Sequence, residues 1–576
     1  MKKLVSLLLA MGLLVGCTTT SEPVVKEVAD NPEFEQWCTD VFVKEMNSNY
    51  ILQRELVRNA EGYELVKPEV KWDVVSLDYY QEYADTLKGY LEALNNFDAS
   101  TLSKRQVALQ ENLILNLDCR IYFYEHPEFK DTFWGDNSVL TTVITTLKDF
   151  VVDSTEDLDE YMTLVGDTDR YFYEVYMLLQ YQQENGFGLN DIQMDEAKAE
   201  LNEFLMSEEN QLTTIFEKKL KQFDVLPEED ANNYREYHQS ILDNELLPVI
   251  QDIVANMDSL KRGDNNRLID YENGKEYFEV LARYQTSTNY SLDEIYSFMA
   301  SYLQSEIQTI RDFGSKKPEA FEAYSNYPLG VRSRLEIMNL DLNNMSKYVP
   351  SVEGVDFGTL LSEEGEIGPM YRIPSIDRRD TNALDTSNEA PAYLYASLAN
   401  EAFTGHIYLS LYTSQLDLNP LYYWLNMNGY VEGWASYAQL YAYKWEGMDE
   451  DIAMFYRYST IENYTLAAII DIGVNYYGYT SEQMTEELNT ILGLTMKEKR
   501  VKELMDYYGN RPGLYLAYGF GLSQMNNWRN ELKGIIGDGE GFDVDIPFNE
   551  VILNKGPRTF ENIQKDMDEY FHTFDA

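Results

Sequence analysis

The chain has 576 residues, of which 98 are acidic and 46 basic, giving a formal charge of −52 at pH 7. Such an excess of carboxylates repels phosphate backbones and excludes nucleic acid as a partner. The length leaves room for several domains of about 150 residues, but composition does not divide it, because charges of both signs run throughout and no repeat or low-complexity block interrupts them.

Lys2 and Lys3 form a basic head, Leu4 to Gly16 an apolar run, and Leu14-Val15-Gly16-Cys17 a lipobox. The run is shorter than the roughly 20 residues of a membrane span, so it reads as a lipoprotein signal, residues 1–16, removed ahead of an acylated Cys17. Residues 17–31 then form a tether to the membrane, and residues 32–576 a single large helical domain outside a bacterial cytoplasm. Cys38 and Cys119 remain, either as one disulfide or as two buried thiols.

From there, helical periodicity dominates. It covers the neighbourhood of Ala84–Phe97, then Tyr171–Gln183, Asp195–Gln222, Asn233–Met257 and Tyr277–Tyr284. A capping box, Ser291 with Glu294, opens an amphipathic helix with Ile295, Phe298, Met299, Tyr302, Leu303, Ile307 and Ile310 on its apolar face; Gly314 and Pro318 are expected to close it. Ala392–Tyr412, Val431–Trp445, Ile461–Tyr477 and Glu482–Leu492 follow. The predicted fold class is mostly α, with a minor β element expected between Gly368 and Asp385, where Pro374 interrupts helix.

Three of these segments carry chemistry. In the first, Asn400-Glu401-Ala402-Phe403-Thr404-Gly405-His406 places a carboxylate and an imidazole five residues apart, about 140° around a regular helix. A bend at Thr404-Gly405 is needed to bring Glu401 and His406 together. In the second, Glu432, Ser436 and Gln439 share one face beside Trp434. The third repeats the device with Asp471 and Asn475. Polar faces on otherwise apolar helices are costly unless they line a cleft or find partners. A helical zinc-peptidase site needs about three protein ligands and a carboxylate base. Glu401 is the candidate base, His406 and Glu432 are candidate metal ligands, and Asn400 stands where a third would be.

With these residues in order, the chain resembles the bacterial family known as domain of unknown function 885. The supporting pieces are Gly274 to Phe278, Ser291 to Ile295, Asn400 to His406, Gly429 to Tyr437, Asp471 to Tyr479, Arg511-Pro512-Gly513 and Ala517-Tyr518-Gly519. The resemblance implies a large helical protein, often a lipoprotein, with a central cleft of gluzincin-like metallopeptidase architecture. The family pattern His-Glu-Ala/Gly-x-Pro-Gly-His falls on Asn400 to His406, so its first His is Asn400 and its Pro is Thr404. An acid of the pattern is Gln439, and a position often His is Asn475. The expectation is therefore a site with zinc weakly held or absent, whose cleft residues Asn400, Gln439, Asp471, Asn475 and Tyr518 bind peptide or cell-envelope material. The alternatives are an active zinc peptidase using His406, Glu432 and a further ligand, or a purely structural surface lipoprotein.

Overall fold

A computed structural model describes residues 28–574, apart from 58–59, 136–137, 208, 224, 264–265, 326–341, 354–398, 402–403, 446–447 and 538–544. The signal, Cys17 and the expected β element at Gly368–Asp385 lie outside the described residues. Among those described there is no strand, and the chain is a succession of helices joined by short turns. None of these helices is long and apolar enough to cross a membrane.

Local chemistry sets the helix boundaries. Ser291 Oγ accepts from the Glu294 amide at 3.3 Å and Glu294 returns a bond to the Ser291 amide at 2.8 Å, so the expected capping box forms. The helix it opens runs Leu292–Lys316, past Gly314, and stops before Pro318. The expected helix over Asp195–Gln222 is two, Asp191–Met206 and Gln211–Gln222, because Ser207 turns extended and Asn210 caps a new start by accepting from the Leu212 amide. Over Asn233–Met257 the chain stays helical but passes through a π turn at Leu242–Leu246. Pro248 explains it: its ring and missing N–H disrupt the bond to the residue four before it.

Among the described residues three large apolar cores form, beside two small clusters around Met448 and Phe455. One gathers residues between Tyr50 and Met257. A second, around Phe278, Trp434, Ile470, Phe520 and Phe560, holds the C-terminal helices. The third belongs to the N-terminal helices Pro32–Met46, Leu77–Leu94 and Lys104–Glu125, yet Leu421, Tyr422 and Trp424 from far along the chain complete it. Buried asparagines stitch the halves. Asn116 donates to Asn426 O at 3.0 Å and accepts from its amide at 2.8 Å, while Asn112 donates to Pro557 O at 3.1 Å and accepts from the Thr559 amide at 3.1 Å. Cys38 and Cys119 are free and buried, and burial holds both thiols well above their ordinary range.

Candidate functional site

Five helical pieces build the site. Asn400 and Glu401 lie in helical backbone, a turn at Thr404-Gly405 follows, and a new helix starts at His406 and runs His406–Ser414. The Glu432 helix, Asn428–Trp445, packs beside it, flanked by the long helix Glu450–Asn475 carrying Tyr464 and by Leu516–Ile536 carrying Tyr518. The regular helix expected over Ala392–Tyr412 is thus broken at the predicted bend. Thr404 has φ 75, and a Cβ at Gly405 would sit 1.7 Å from the Asn400 carbonyl oxygen, so only glycine permits the chain to double back so closely.

The bend corrects the helical phase. His406 Nε2 lies 3.3 Å from Glu432 Oε2, both side chains 21% exposed. Glu401 is exposed to solvent, yet the protein around its carboxyl desolvates it enough to push it above its usual range, with the charge of His406 opposing and that of Glu432 adding. For His406, burial disfavours the imidazolium, but the carboxylates of Glu432 and Glu401 outweigh it and hold the ring above its ordinary value.

Behind this trio the polar groups close a circuit. Tyr518 bonds to Glu432 through its hydroxyl, its phenol raised far above normal, chiefly by burial. Its ring stacks on Tyr464 at 5.4 Å and 13°. Tyr464 donates to Gln439 Oε1 at 3.3 Å, and Asn400 Nδ2 donates to the same oxygen at 3.2 Å. Gln439 and Asn400 are both buried, so the face shared by Glu432, Ser436 and Gln439 points inward. Tyr464 was not singled out in the sequence. Its only signal is its place seven residues, two helical turns, before Asp471, and with 46 tyrosines in the chain that signal does not stand out.

Asp471 and Asn475 lie elsewhere. Both are fully buried. Asp471 accepts from Asn475 Nδ2 and from the Gly513 amide, each at 2.8 Å, and Asn475 donates to Gly509 O at 3.0 Å. Burial raises the Asp471 carboxyl to about 8 against those two donors. The pair clamps the connection between Glu498–Gly509 and Leu516–Ile536, roughly 10 Å along the helix from Tyr464. It joins no described contact with Glu401, His406 or Glu432, because its hydrogen bonds are spent on neighbouring backbone.

Two donors on a tetrahedral zinc, with bonds of about 2.1 Å, stand about 3.4 Å apart. His406 and Glu432 meet that separation, and Glu432 Oε2 has no aligned hydrogen-bond partner among the described residues. At the position of the pattern's first histidine stands Asn400, a neutral amide bonded to Gln439. Among the described residues no group of three His, Cys, Asp or Glu side chains that could hold a metal ion is found.

The model of a family described as bacterial protein of unknown function (DUF885) matches residues 60–323 and 363–567, most of the chain. The chain belongs to DUF885. No curated protein matches it. Among solved structures, a "putative lipoprotein" from Colwellia psychrerythraea superposes with a TM-score of 0.72 at 15% identity, covering 94% of this chain and 99% of its own. A protein from Shewanella oneidensis described in the same words, and as of unknown function, gives 0.59 at 14% identity over 94% and 100%. These share the mostly α fold. A protein described as a "putative oligoendopeptidase F" from Bacillus anthracis str. Ames gives 0.30 at 12% identity over 88% and 97%, too low a likeness to support an argument.

The structure explains why the DUF885 motif Glu432-Gly433-Trp434-Ala435 reads as it does here. Glu432 faces His406. A Cβ on Gly433 would stand 2.7 Å from Gly521 Cα, so this glycine lets two helices touch backbone to backbone. Trp434 Nε1 donates to Thr404 O at 2.8 Å and thereby pins the turn before His406. Ala435 is buried beneath it. Thr404 stands where the pattern has proline, and proline cannot adopt φ 75, so the turn in this chain is its own.

Proposed function

We propose that this DUF885 protein is a cell-envelope lipoprotein, anchored through lipid on Cys17, that binds peptide or envelope material at the Glu401 site without efficient hydrolysis. The observation that carries the reading is the side chain of Asn400, a neutral amide turned into a hydrogen bond with Gln439 where a metal-binding imidazole would be needed. Losing one of three ligands weakens zinc binding by orders of magnitude. What remains is the exposed carboxyl of Glu401 beside a half-buried carboxyl, Glu432, an imidazole and two tyrosines, able to hold polar ligand atoms by hydrogen bonds and charge. The likeness to proteins described as lipoproteins supports the envelope location.

One observation favours a second reading, an active zinc hydrolase: the separation of His406 and Glu432 matches two ligands of one ion, and Glu432 Oε2 accepts no aligned hydrogen bond among the described residues. Metal analysis of the mature chain, purified without chelator, separates the two. Substoichiometric zinc and no peptide cleavage are expected. Stoichiometric zinc together with cleavage abolished by Glu401→Gln would establish the active reading instead.

A further inference from the structure

Far from position 400 in the chain, a groove of about 970 Å³ opens between the helices Gln211–Gln222 and Glu228–Ile241, beside the end of Asp191–Met206. Its floor is apolar. Leu220 and Ala231 are buried there, while Leu205, Phe223, Leu226 and Leu247 are only half-buried and keep part of their surface in water. The turns at its ends extend that surface. Met206, between the lining residues Leu205 and Ser207, is 77% exposed, and Val225, between Phe223 and Leu226, is 73% exposed. No other large apolar side chain among the described residues is as exposed as these two.

The charges along the groove are only partly matched. Arg235 pairs with Glu217 at 2.9 Å and reaches Glu228 at 3.5 Å. Lys218 and Lys221 also line the groove, one helical turn apart and both exposed. Among the described residues neither ammonium has a carboxylate within ion-pair distance, and the lining carboxylate Glu209 has no cation. Two unpaired ammonium groups against one unpaired carboxylate leave the groove locally positive in a chain whose net charge is −52. The volume falls in the range of about 300–1,000 Å³ that holds small ligands. Apolar surface left open to water beside a concave wall favours an apolar occupant. Lysines at the edge of such a floor offer point charges on flexible stems, which suit an acidic head carried on an apolar tail.

We propose that this groove binds a single-chain amphiphile with an acidic head, its tail against Leu205, Phe223, Leu226 and Leu247 and its head against Lys218 and Lys221. Two envelope sources offer that chemistry, a free fatty acid and a lysophospholipid. The groove shares no residue with the Glu401 site, so it stands whether or not that site takes peptide or zinc.

Calorimetric titration tests it on the mature chain with Cys17→Ala in place, which needs no detergent, with every ligand below its micellar concentration. Dodecanoate is compared with 1-dodecanol, and dodecanoyl lysophosphatidylglycerol with 1-dodecanoylglycerol. At least one acid-headed ligand is expected to bind at least tenfold tighter than its uncharged counterpart, about 1.4 kcal/mol, and the one that does so identifies the source. Shortening its tail from twelve carbons to eight should weaken binding at least tenfold, since each methylene left in water costs up to about fourfold in affinity. Joint replacement Lys218→Gln and Lys221→Gln should weaken it by at least about tenfold as well, whereas arginine at both positions keeps the charge and should retain most of the affinity. Absence of binding, equal binding of an uncharged counterpart, or affinity that does not depend on tail length overturns the proposal. So does unchanged affinity in the glutamine variant with an unaltered circular dichroism spectrum. The wild-type comparisons of head and tail decide the matter if that variant fails to fold.

Discussion

Replacing Asn400 with histidine tests the reading of the site most directly. In the wild type, Asn400 Nδ2 donates to Gln439 Oε1 at 3.2 Å, and Tyr464 donates to the same oxygen. A histidine there can make the same donation through Nδ1–H, which would leave Nε2 as a free donor toward His406 and Glu432. Gln439 would then orient the new ligand much as a hydrogen-bonding group behind a metal ligand normally does. His406 and Glu432 already stand 3.3 Å apart, so the third donor arrives at a nearly prepared pair. The cost is volume: the imidazole must fit where a buried asparagine now packs, and overpacking of this kind costs about 1–3 kcal/mol of fold stability. Competition titration against a chromogenic zinc chelator should show Asn400→His binding at least tenfold tighter than wild type, a gain of about 1.4 kcal/mol. Double replacement with His406→Ala should cancel the gain. If Asn400→His folds, as judged by its melting transition, but gains no affinity, or if His406→Ala leaves the gain intact, then His406 and Glu432 are not a latent pair of ligands and the reasoning fails.

Other consequences are open to measurement. Gly433→Ala would drive a methyl group to 2.7 Å from Gly521 Cα, so urea unfolding should show a loss of about 1–3 kcal/mol or more; no loss would mean the helices separate at little cost. His238 is buried, stacked on Phe216 at 4.4 Å, and its imidazole is lowered by burial to about 4. Its folded value is depressed, so the unfolded chain takes up the proton first, and stability is lost as pH falls from about 6.5 toward 4; near pH 5 the penalty is about 2 kcal/mol. His238→Phe should therefore lose less stability than wild type between about pH 7 and pH 5 in denaturant titrations, and equal losses would contradict the assignment. Trp434→Phe keeps a ring but removes the donor to Thr404 O, and urea unfolding should show a cost of about 0.5–1.5 kcal/mol for the lost hydrogen bond. Cys17→Ala should leave the chain unprocessed or free of the membrane fraction, and retention of lipid label in that variant would rule out the lipobox.

How much the sequence revealed depended on the kind of signal. Helices with strong periodicity and caps, such as the one after Ser291, could be placed because their determinants are local. The break at Thr404-Gly405 could also be anticipated, since Glu401 and His406 fall on different faces of a regular helix. Asp471 and Asn475 show the limit: a polar face on an apolar helix is the same pattern whether it meets a ligand or the backbone of the Gly509 and Gly513 turns. The π turn before Pro248 and the split at Ser207 depended on which backbone groups find partners, which spacing alone does not encode. Tyr464 escaped notice because its role comes from Tyr518 and Gln439 on other helices.

The interleaving of the N-terminal helices with residues from Leu421 to Asn426 bears on how the chain comes to be folded. The core around Phe34, Leu87 and Leu113 is completed by Leu421, Tyr422 and Trp424, and Asn116 finds its partner 310 residues later. Contacts of such sequence separation form slowly, because a long loop must close before they reward it. During synthesis the first helices thus emerge with an apolar face that has no cover until the chain is three-quarters made. Under the proposed envelope location the chain would cross a membrane before it folds, and there that delay is an advantage: it keeps the polypeptide export-competent. The same exposed face makes the nascent chain prone to aggregation and a natural client for chaperones that hold unfolded segments.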